Sequence, residues 1–382
     1  MKILFILDEF LPENSGGAAN VAFWLAKGLI KAGHQILVLT ATNDARKTGD
    51  LEIEGIRIKI IFTKFFGRLR NWKNLKNRRI LKKSENVLAA FKPDIVHIHS
   101  CHHRFSYGII GLAKKYSNAV FLTLHDAQTI YNGKLFSNLR VGWLDCFRKD
   151  GLAYNPFQRF FIKKALKKVD RIFAVSGALQ KAVEANGISN LETIHNGIDA
   201  GEWAVNEAIG GNILFAGRVD EAKGIKPLIK AFDAINSEIP DAALTIVGNG
   251  NFETERNKNI KILPWQSREE MKKLFAEAAV VAVPSLYLDP FPTVNLEAMA
   301  AGKPVVGTCF GGTLEAVMNN ETGYIINPYN KKELVEKIIN LLKNPQRAAA
   351  FGKAGRARVE KIFSIESQVS KTLEWYKKFI RE

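Results

Sequence analysis

Short apolar runs of strand length recur along the chain, and amphipathic stretches separate most of them. In the first half the runs are "KILFIL", "QILVLT", "IRIKII", "DIVHIH", "AVFLTLH", "RIFAVS" and "LETIH"; in the second they are "NILFAG", "ALTIVG", "IKIL", "VVAVPS", "KPVVGT" and "TGYIINP". Continuous apolar runs suit parallel strands covered on both faces. Between them, "AANVAFWLAKGLIKAG" and "GIKPLIKAFDAINSEI" read as helices. The alternation predicts an α/β fold in each half. A break in composition at residues 199–211, "DAGEWAVNEAIGG", predicts a linker with a new strand from Asn212, and so two doubly wound domains. No repeat of about 20 to 50 residues and no low-complexity tract is present, which sets solenoids aside.

One connection carries more than topology. Residues 289–307 read "DPFPTVNLEAMAAGKPVVG". Asp289-Pro290-Phe291-Pro292 cannot be helical, because each proline lacks an N–H and holds the residue before it extended. A helix must start after them, with Thr293 as N-cap and with Gly302 and Pro304 ending it. Asp289 then lies on a loop, and Glu297, eight positions on, lies in the first turns of the helix. The loop follows "AAVVAVPS", a buried parallel strand, at the end where open α/β sheets bind ligands. The helix N-terminus beside it favours an anion such as phosphate. A tight connection with two solvated acids would read the same way, so the rest of the chain decides.

Composition narrows the class. At 382 residues and 47% hydrophobic, the chain can bury more than one core. Cys101, Cys146 and Cys309 are scattered and odd in number, which fits a reducing compartment better than a disulfide framework. "MKILFIL" has only five apolar residues between Lys2 and Asp8, too few for a signal-peptide core, and no apolar run approaches the ~20 residues of a spanning helix. A cytoplasmic protein is expected. Of the net charge of +17, residues 1–200 hold +15 (31 Lys+Arg against 16 Asp+Glu), leaving +2 for the remainder. The excess concentrates in "KFFGRLRNWKNLKNRRILKK" (64–83) and "FQRFFIKKALKKVDR" (157–171), where apolar residues interleave with cations as on a basic amphipathic surface helix. Nucleic acid, an anionic membrane face or an acidic acceptor would each suit such segments, as would ordinary solvated helix faces.

Two doubly wound domains invite a dinucleotide, but the fingerprint fails. After "ALTIV" come Gly248-Asn249-Gly250, with Glu253 where the third glycine of G-x-G-x-x-G belongs. The "SGGAAN" stretch after the first strand has adjacent Gly16 and Gly17, which can bring backbone close to a phosphate or merely turn into a helix. The second half supplies matching cations. "NILFAGRVDEAKGI" ends a strand at Gly217-Arg218 and places Lys223 five residues on, a fork and a point charge that can neutralise a diphosphate. Removing a group from a diphosphate requires such stabilisation from a metal or from fixed cations. No D-x-D pair occurs, so Arg218 and Lys223 would stand in for the metal; a surface pairing of Arg218 with Asp220 or Glu221 is the plainer alternative.

"GRVDEAKG" followed by "DPFPTVNLEAMAAGKPVVGT" resembles the nucleotide-sugar site of the retaining GT-B glycosyltransferases of family 4, the "group 1" family. "PDIVHIHS", "LTLHDAQ", "FAVSGALQ", "IHNGID" and "LTIVGNG" extend the similarity over nearly the whole chain, more strongly in the C-terminal half. The resemblance implies two Rossmann-like domains facing a central cleft: residues 1–200 for the acceptor, 201–364 for the nucleotide sugar, and a last helix within 365–382 returning to the first domain. It implies transfer of a hexose-type sugar from a UDP-, GDP- or similar donor, without a cofactor, to a hydroxyl of a glycan or lipid-linked acceptor. A seat on the inner face of an anionic membrane is compatible with it, and no nucleic acid is implied.

Carried over position by position, Glu297 would hold the ribose hydroxyls and Asp289 those of the transferred sugar. The family usually has Glu at the first position and often glycine where Pro292 stands, so the sugar contact is expected to differ. Amides of Thr293, Val294 and Asn295 would face the phosphates. The base would lie near Gly248, Asn249 and "LPWQS", where Trp265 offers a ring. The implied mechanism is retention by front-face attack, with the leaving phosphate oxygen helping to deprotonate the acceptor and His125, beside Asp126, polarising sugar or acceptor. "HIHSCHH" (97–103) has the composition of a zinc site, but His97 and His99 share a strand face and structural or acceptor-lining histidines are the preferred reading. A nucleotide-sugar epimerase or hydrolase on the same fold is the alternative enzyme, and a noncatalytic sugar-nucleotide or membrane-binding module the alternative outside enzymes.

Overall fold

The computed structural model describes residues 1–12, 16–64, 70–135, 139–206, 210–250 and 257–380. The chain forms two compact units, Met1–His195 together with the chain from Gln368, and Asn196–Ser367.

The first unit is built on eight strands: β1 (Lys2–Ile6), β2 (Gln35–Thr42), β3 (Gly49–Ile53), β4 (Ile56–Phe62), β5 (Ile95–Ile98), β6 (Ala119–Leu124), β7 (Arg171–Ala174) and β8 (Leu191–Thr193). Their order is β3-β4-β2-β1-β5-β6-β7-β8. All neighbouring pairs are parallel except β3 with β4. That hairpin is missing from the sequence reading. Glu54 and Gly55 turn it with positive φ at both positions, the geometry of a tight two-residue hairpin. The second unit has six parallel strands: β9 (Gly211–Ala216), β10 (Ala242–Val247), β11 (Ile260–Leu263), β12 (Val280–Val283), β13 (Val305–Thr308) and β14 (Gly323–Ile326). Their order is β11-β10-β9-β12-β13-β14.

Both sheets are Rossmann-like, with amphipathic helices covering them. The helix Ile225–Glu238, for example, buries Ile225, Leu228, Ala231, Phe232 and Ile235 at helical spacing against the sheet residues Ile213, Leu244 and Ile246. Strand order reverses between β1 and β5 in one unit and between β9 and β12 in the other. Adjacent strands whose connections leave in opposite directions open a crevice at their carboxyl ends. The stretch expected as a linker is packed at Trp203, which is buried, lies edge-on against Phe275 at 5.4 Å, and accepts a hydrogen bond at its carbonyl from Arg356; residues 207–209 lie outside the described residues.

Candidate active site

The second unit brings its candidate residues to the β9/β12 reversal. Gly217 and Arg218 follow β9, and Ser285 to Asp289 follow β12. The two loops are tied together. Leu286 N–H donates to the Ala222 carbonyl at 2.7 Å, and a Cβ at Gly224, whose φ is +79°, would collide with the Pro284 carbonyl oxygen. Asp220 caps the short turn Glu221–Lys223 by accepting the Lys223 N–H at 3.0 Å, which aims the Lys223 side chain across to the neighbouring loop.

There Lys223 Nζ meets Asp289 Oδ2 at 2.5 Å, and Ser285 Oγ donates to the same oxygen at 2.9 Å. Both side chains are largely withdrawn from solvent, and Tyr287 places its ring 5.7 Å from the ammonium. Burial alone would lower the Lys223 pKa; the Asp289 carboxylate, with Tyr287 and the hydrogen bond, outweighs it and raises it, so the lysine is charged. Burial likewise pushes the Tyr287 phenol up to about 12. Lys223 and Asp289 thus form one ion pair, with Ser285 and Tyr287 as members that sequence reading did not single out. Arg218 is the exposed cation, 65% accessible and only loosely placed against Asp220 at 3.8 Å.

The helix Thr293–Ala300 begins beside this pair. Its N-cap is Pro292, not Thr293, because Pro292 keeps extended φ/ψ and Thr293 already has its place as the first helical residue. Among the described residues the N–H groups of Thr293 and Val294 have no partner. Asn295 differs from these two: its N–H donates to the Pro292 carbonyl at 3.1 Å, and its buried side chain donates to Thr313 at 3.1 Å, so it braces the turn. Glu297, one turn further, is half-buried, and burial pushes its carboxyl up to about 7, with a hydrogen bond from Thr293 pulling partly back. Near neutrality it exists in both protonation states.

On the other side of β9, Gly217 N–H donates to Val247, Val219 N–H to Asn249 and Gly248 N–H to Leu263, so Gly217, Gly248 and Asn249 form one backbone patch. Trp265, partly exposed, donates its N–H to Asn249 Oδ1 at 3.3 Å. Glu253 lies outside the described residues.

In the first unit, Gly16 is the N-cap of the helix Gly17–Lys31; Ser15 lies outside the described residues. Asp8, after β1, is buried and accepts the N–H groups of His103, Arg104 and Phe105 at 2.7–2.8 Å, fixing the loop after β5. His97 bonds Tyr376 Oη at 2.6 Å and Thr123 Oγ1 at 2.7 Å, so it is a core residue that anchors the last helix, Ile365–Phe379. His99 Nδ1 lies 3.1 Å from His125 Nε2, and the two rings stack. Burial lowers His97 to about 3 and His125 to about 4, so both are neutral at ordinary pH and can accept a proton only at a cost. Among the described residues no group of three or more His, Cys, Asp or Glu side chains could hold a metal ion.

Known proteins place this architecture. The model of "Glycosyltransferase Family 4" matches residues 15–202 and that of "Glycosyl transferases group 1" residues 210–358. The glycogen synthase of Mycobacterium tuberculosis is 24% identical over 98% of this chain and 94% of its own length. Spore coat protein SA of Bacillus subtilis is 28% identical over 99% and 100%. Among solved structures, sucrose-phosphate synthase from Thermosynechococcus elongatus superposes with a TM-score of 0.76 at 19% identity, covering 99% of this chain and 98% of that one. HepE from Anabaena, in complex with UDP and glucose, gives 0.72 at 20% identity, covering 99% and 100%. The chain belongs to the group 1 glycosyltransferases with the GT-B fold, and is a glycosyltransferase.

Proposed function

We propose that the protein is a retaining, metal-independent glycosyltransferase that moves a hexose-type sugar from a nucleoside-diphosphate sugar to a hydroxyl of a lipid or growing glycan at an anionic membrane face. The observation that carries this reading is the Lys223–Asp289 pair at the β9/β12 crevice, set between the exposed Arg218 and the unpaired N–H groups of Thr293 and Val294. Two cations and two amides supply positive potential where a diphosphate leaves, without a metal. Glu297 is assigned the ribose diol, for which an ionised carboxylate can accept two hydrogen bonds. Asp289 is assigned the sugar hydroxyls and the Gly248–Asn249 patch with Trp265 the base. The first unit is assigned the acceptor, with His125 as its polar group. In the reaction the bond from the anomeric carbon to the phosphate oxygen breaks, the bond to the acceptor oxygen forms on the same face, and the acceptor proton passes to the leaving diphosphate.

Thermal unfolding against UDP-, GDP- and ADP-sugars identifies the donor, because a ligand of the folded state raises its apparent stability. Incubation with that donor and a hydroxyl acceptor, read by NMR at the anomeric centre, then tests transfer with retention. An inverted product, or an isomerised sugar nucleotide formed without acceptor, overturns the reading.

A further inference from the structure

The first unit carries an apolar surface that its fold does not use. The helix Gln158–Leu166 buries Gln158, Ile162 and Leu166 on one face. Its opposite face, which a helix on a globular protein fills with polar residues, presents Phe160 at 64% and Phe161 at 47% exposure, continued by Phe157. The helix Trp143–Asp150 repeats the anomaly: Cys146 is its buried residue, whereas Trp143, Leu144 and Phe147 are exposed.

These residues form one surface, because the segments bearing them are bonded together. The Arg159 guanidinium donates to the Val141 carbonyl at 2.5 Å, seating one helix beside the start of the other. Phe147 packs edge-on against Tyr154 at 5.9 Å, in the connection that also exposes Leu152. Asn71 donates to the Ala153 carbonyl and accepts Asn155 at its own, which brings the exposed Trp72 alongside. The acids here are turned to internal partners: Asp145 accepts the Gly142 N–H at 2.8 Å and Asp150 accepts Asn132 at 3.0 Å. Arg148, Lys149, Lys164, Lys167 and Lys168, on the same two helices or just after them, are exposed.

We infer that residues 143–168, with Trp72, form a seat for an anionic lipid surface, the rings entering the headgroup boundary and the cations meeting its charge. Contiguous exposed apolar surface calls for a partner. Aromatic and leucine side chains accompanied by Lys and Arg match the two layers of a membrane interface, apolar below and anionic above. No described helix is long and apolar enough to cross a membrane. The inference gives the proposed acceptor a location and rests on that reading only there, since lipid binding can be measured with no sugar donor present.

The test is co-sedimentation of the full chain with phosphatidylcholine vesicles, with and without phosphatidylglycerol, over a salt series. Binding that needs phosphatidylglycerol and weakens with salt is expected. The variant Phe157→Ser/Phe160→Ser/Phe161→Ser should lose roughly tenfold or more in affinity. Its far-UV spectrum and melting should match the parent. Brominated lipids should quench the parent's tryptophan fluorescence and leave Trp143→Phe less affected, a readout that needs no destabilising change. No binding at low salt, undiminished binding by the triple Phe variant, or a parent dimer that the variant abolishes without change in vesicle binding would overturn the inference, the last by giving the surface to a second copy.

Discussion

Glu297→Gln should make the protein more stable in alkaline solution while weakening its hold on nucleotide. In the folded chain burial raises this carboxyl from 4.5 to about 7. Between those values the folded state keeps a proton that the unfolded state has lost, so stability falls as pH rises through the window. At about 1.4 kcal/mol per pH unit the full loss is on the order of 3 kcal/mol once pH exceeds 7. Glutamine has nothing to ionise. Relative to the parent, the variant should therefore gain about 2 to 3 kcal/mol on going from about pH 5 to about pH 8.5, whatever constant offset the amide adds. Hydrogen exchange at β9 and β12, compared at each pH between variant and parent, reads the second unit alone. If ribose hydroxyls bind the ionised form, nucleoside diphosphate binding should release a proton, visible as a dependence of calorimetric heat on buffer, and glutamine should cost roughly tenfold or more in affinity and abolish the release. The same pH dependence of exchange in parent and variant would refute the burial argument; unchanged nucleotide affinity would refute the ribose assignment.

Three other outcomes follow from the same geometry. Transfer should continue in excess EDTA, and activity lost there and restored by Mg²⁺ or Mn²⁺ would overturn the assignment of charge stabilisation to Arg218 and Lys223. Removing either Lys223 or Asp289 alone should destabilise the second unit by about 3 to 5 kcal/mol, and removing both should cost clearly less than the sum; additive losses in a double-mutant cycle would deny the pair. Because burial holds His97 at about 3 and His125 at about 4, the unfolded state takes up protons first as pH falls below 6.5, so exchange protection in β5 and β6 should decline from pH 6.5 toward 4 and recover with pH, a trend opposite to that of Glu297; a flat profile there would show these rings to be better hydrated than their burial indicates.

The sheets were largely legible because parallel strands buried on both faces leave apolar runs, and five of the six strands of the second unit coincide with such runs; the sixth, β11 at the sheet edge, was read from the short stretch "IKIL" although none of its residues is fully buried. β3 escaped because an edge strand alternates: Gly49–Ile53 is never fully buried, and its signature is the Glu54-Gly55 turn rather than an apolar run. Asp289 and Glu297 were legible as a motif, but the partner of Asp289 was not. Lys223 is 66 residues away, and only the adjacency of β9 and β12, which skips β10 and β11, brings them together. The bonding of Asn295 was not legible, because an amide in the first turn looks free in sequence, whereas the Pro292 carbonyl turns back to accept it. The aromatic face at 157–161 was visible as composition; that the same helix also buries Ile162 and Leu166, leaving the rings outward, required the structure.

The aspartate, standing where the resemblance implies a glutamate, has a physical consequence here. The Asp289 carbonyl accepts the Gly312 N–H at 2.9 Å, and a Cβ at Gly311, whose φ is +69°, would collide with that carbonyl, so the backbone at 289 is pinned from behind. From that fixed point the short side chain places one oxygen on both Lys223 and Ser285, with 6% of the side chain left accessible. An added methylene would have to displace these partners or carry the carboxylate past them toward the ligand side. Aspartate therefore holds its charge back, in contact with the lysine. Under the proposed reading, phosphates arriving at Lys223 would draw the ammonium toward themselves and leave an Asp289 oxygen held by Ser285 alone, able to accept from a sugar hydroxyl. Diphosphate and sugar would then be recognised through one connected set of groups, and a nucleotide lacking the sugar would leave that carboxylate short of a partner.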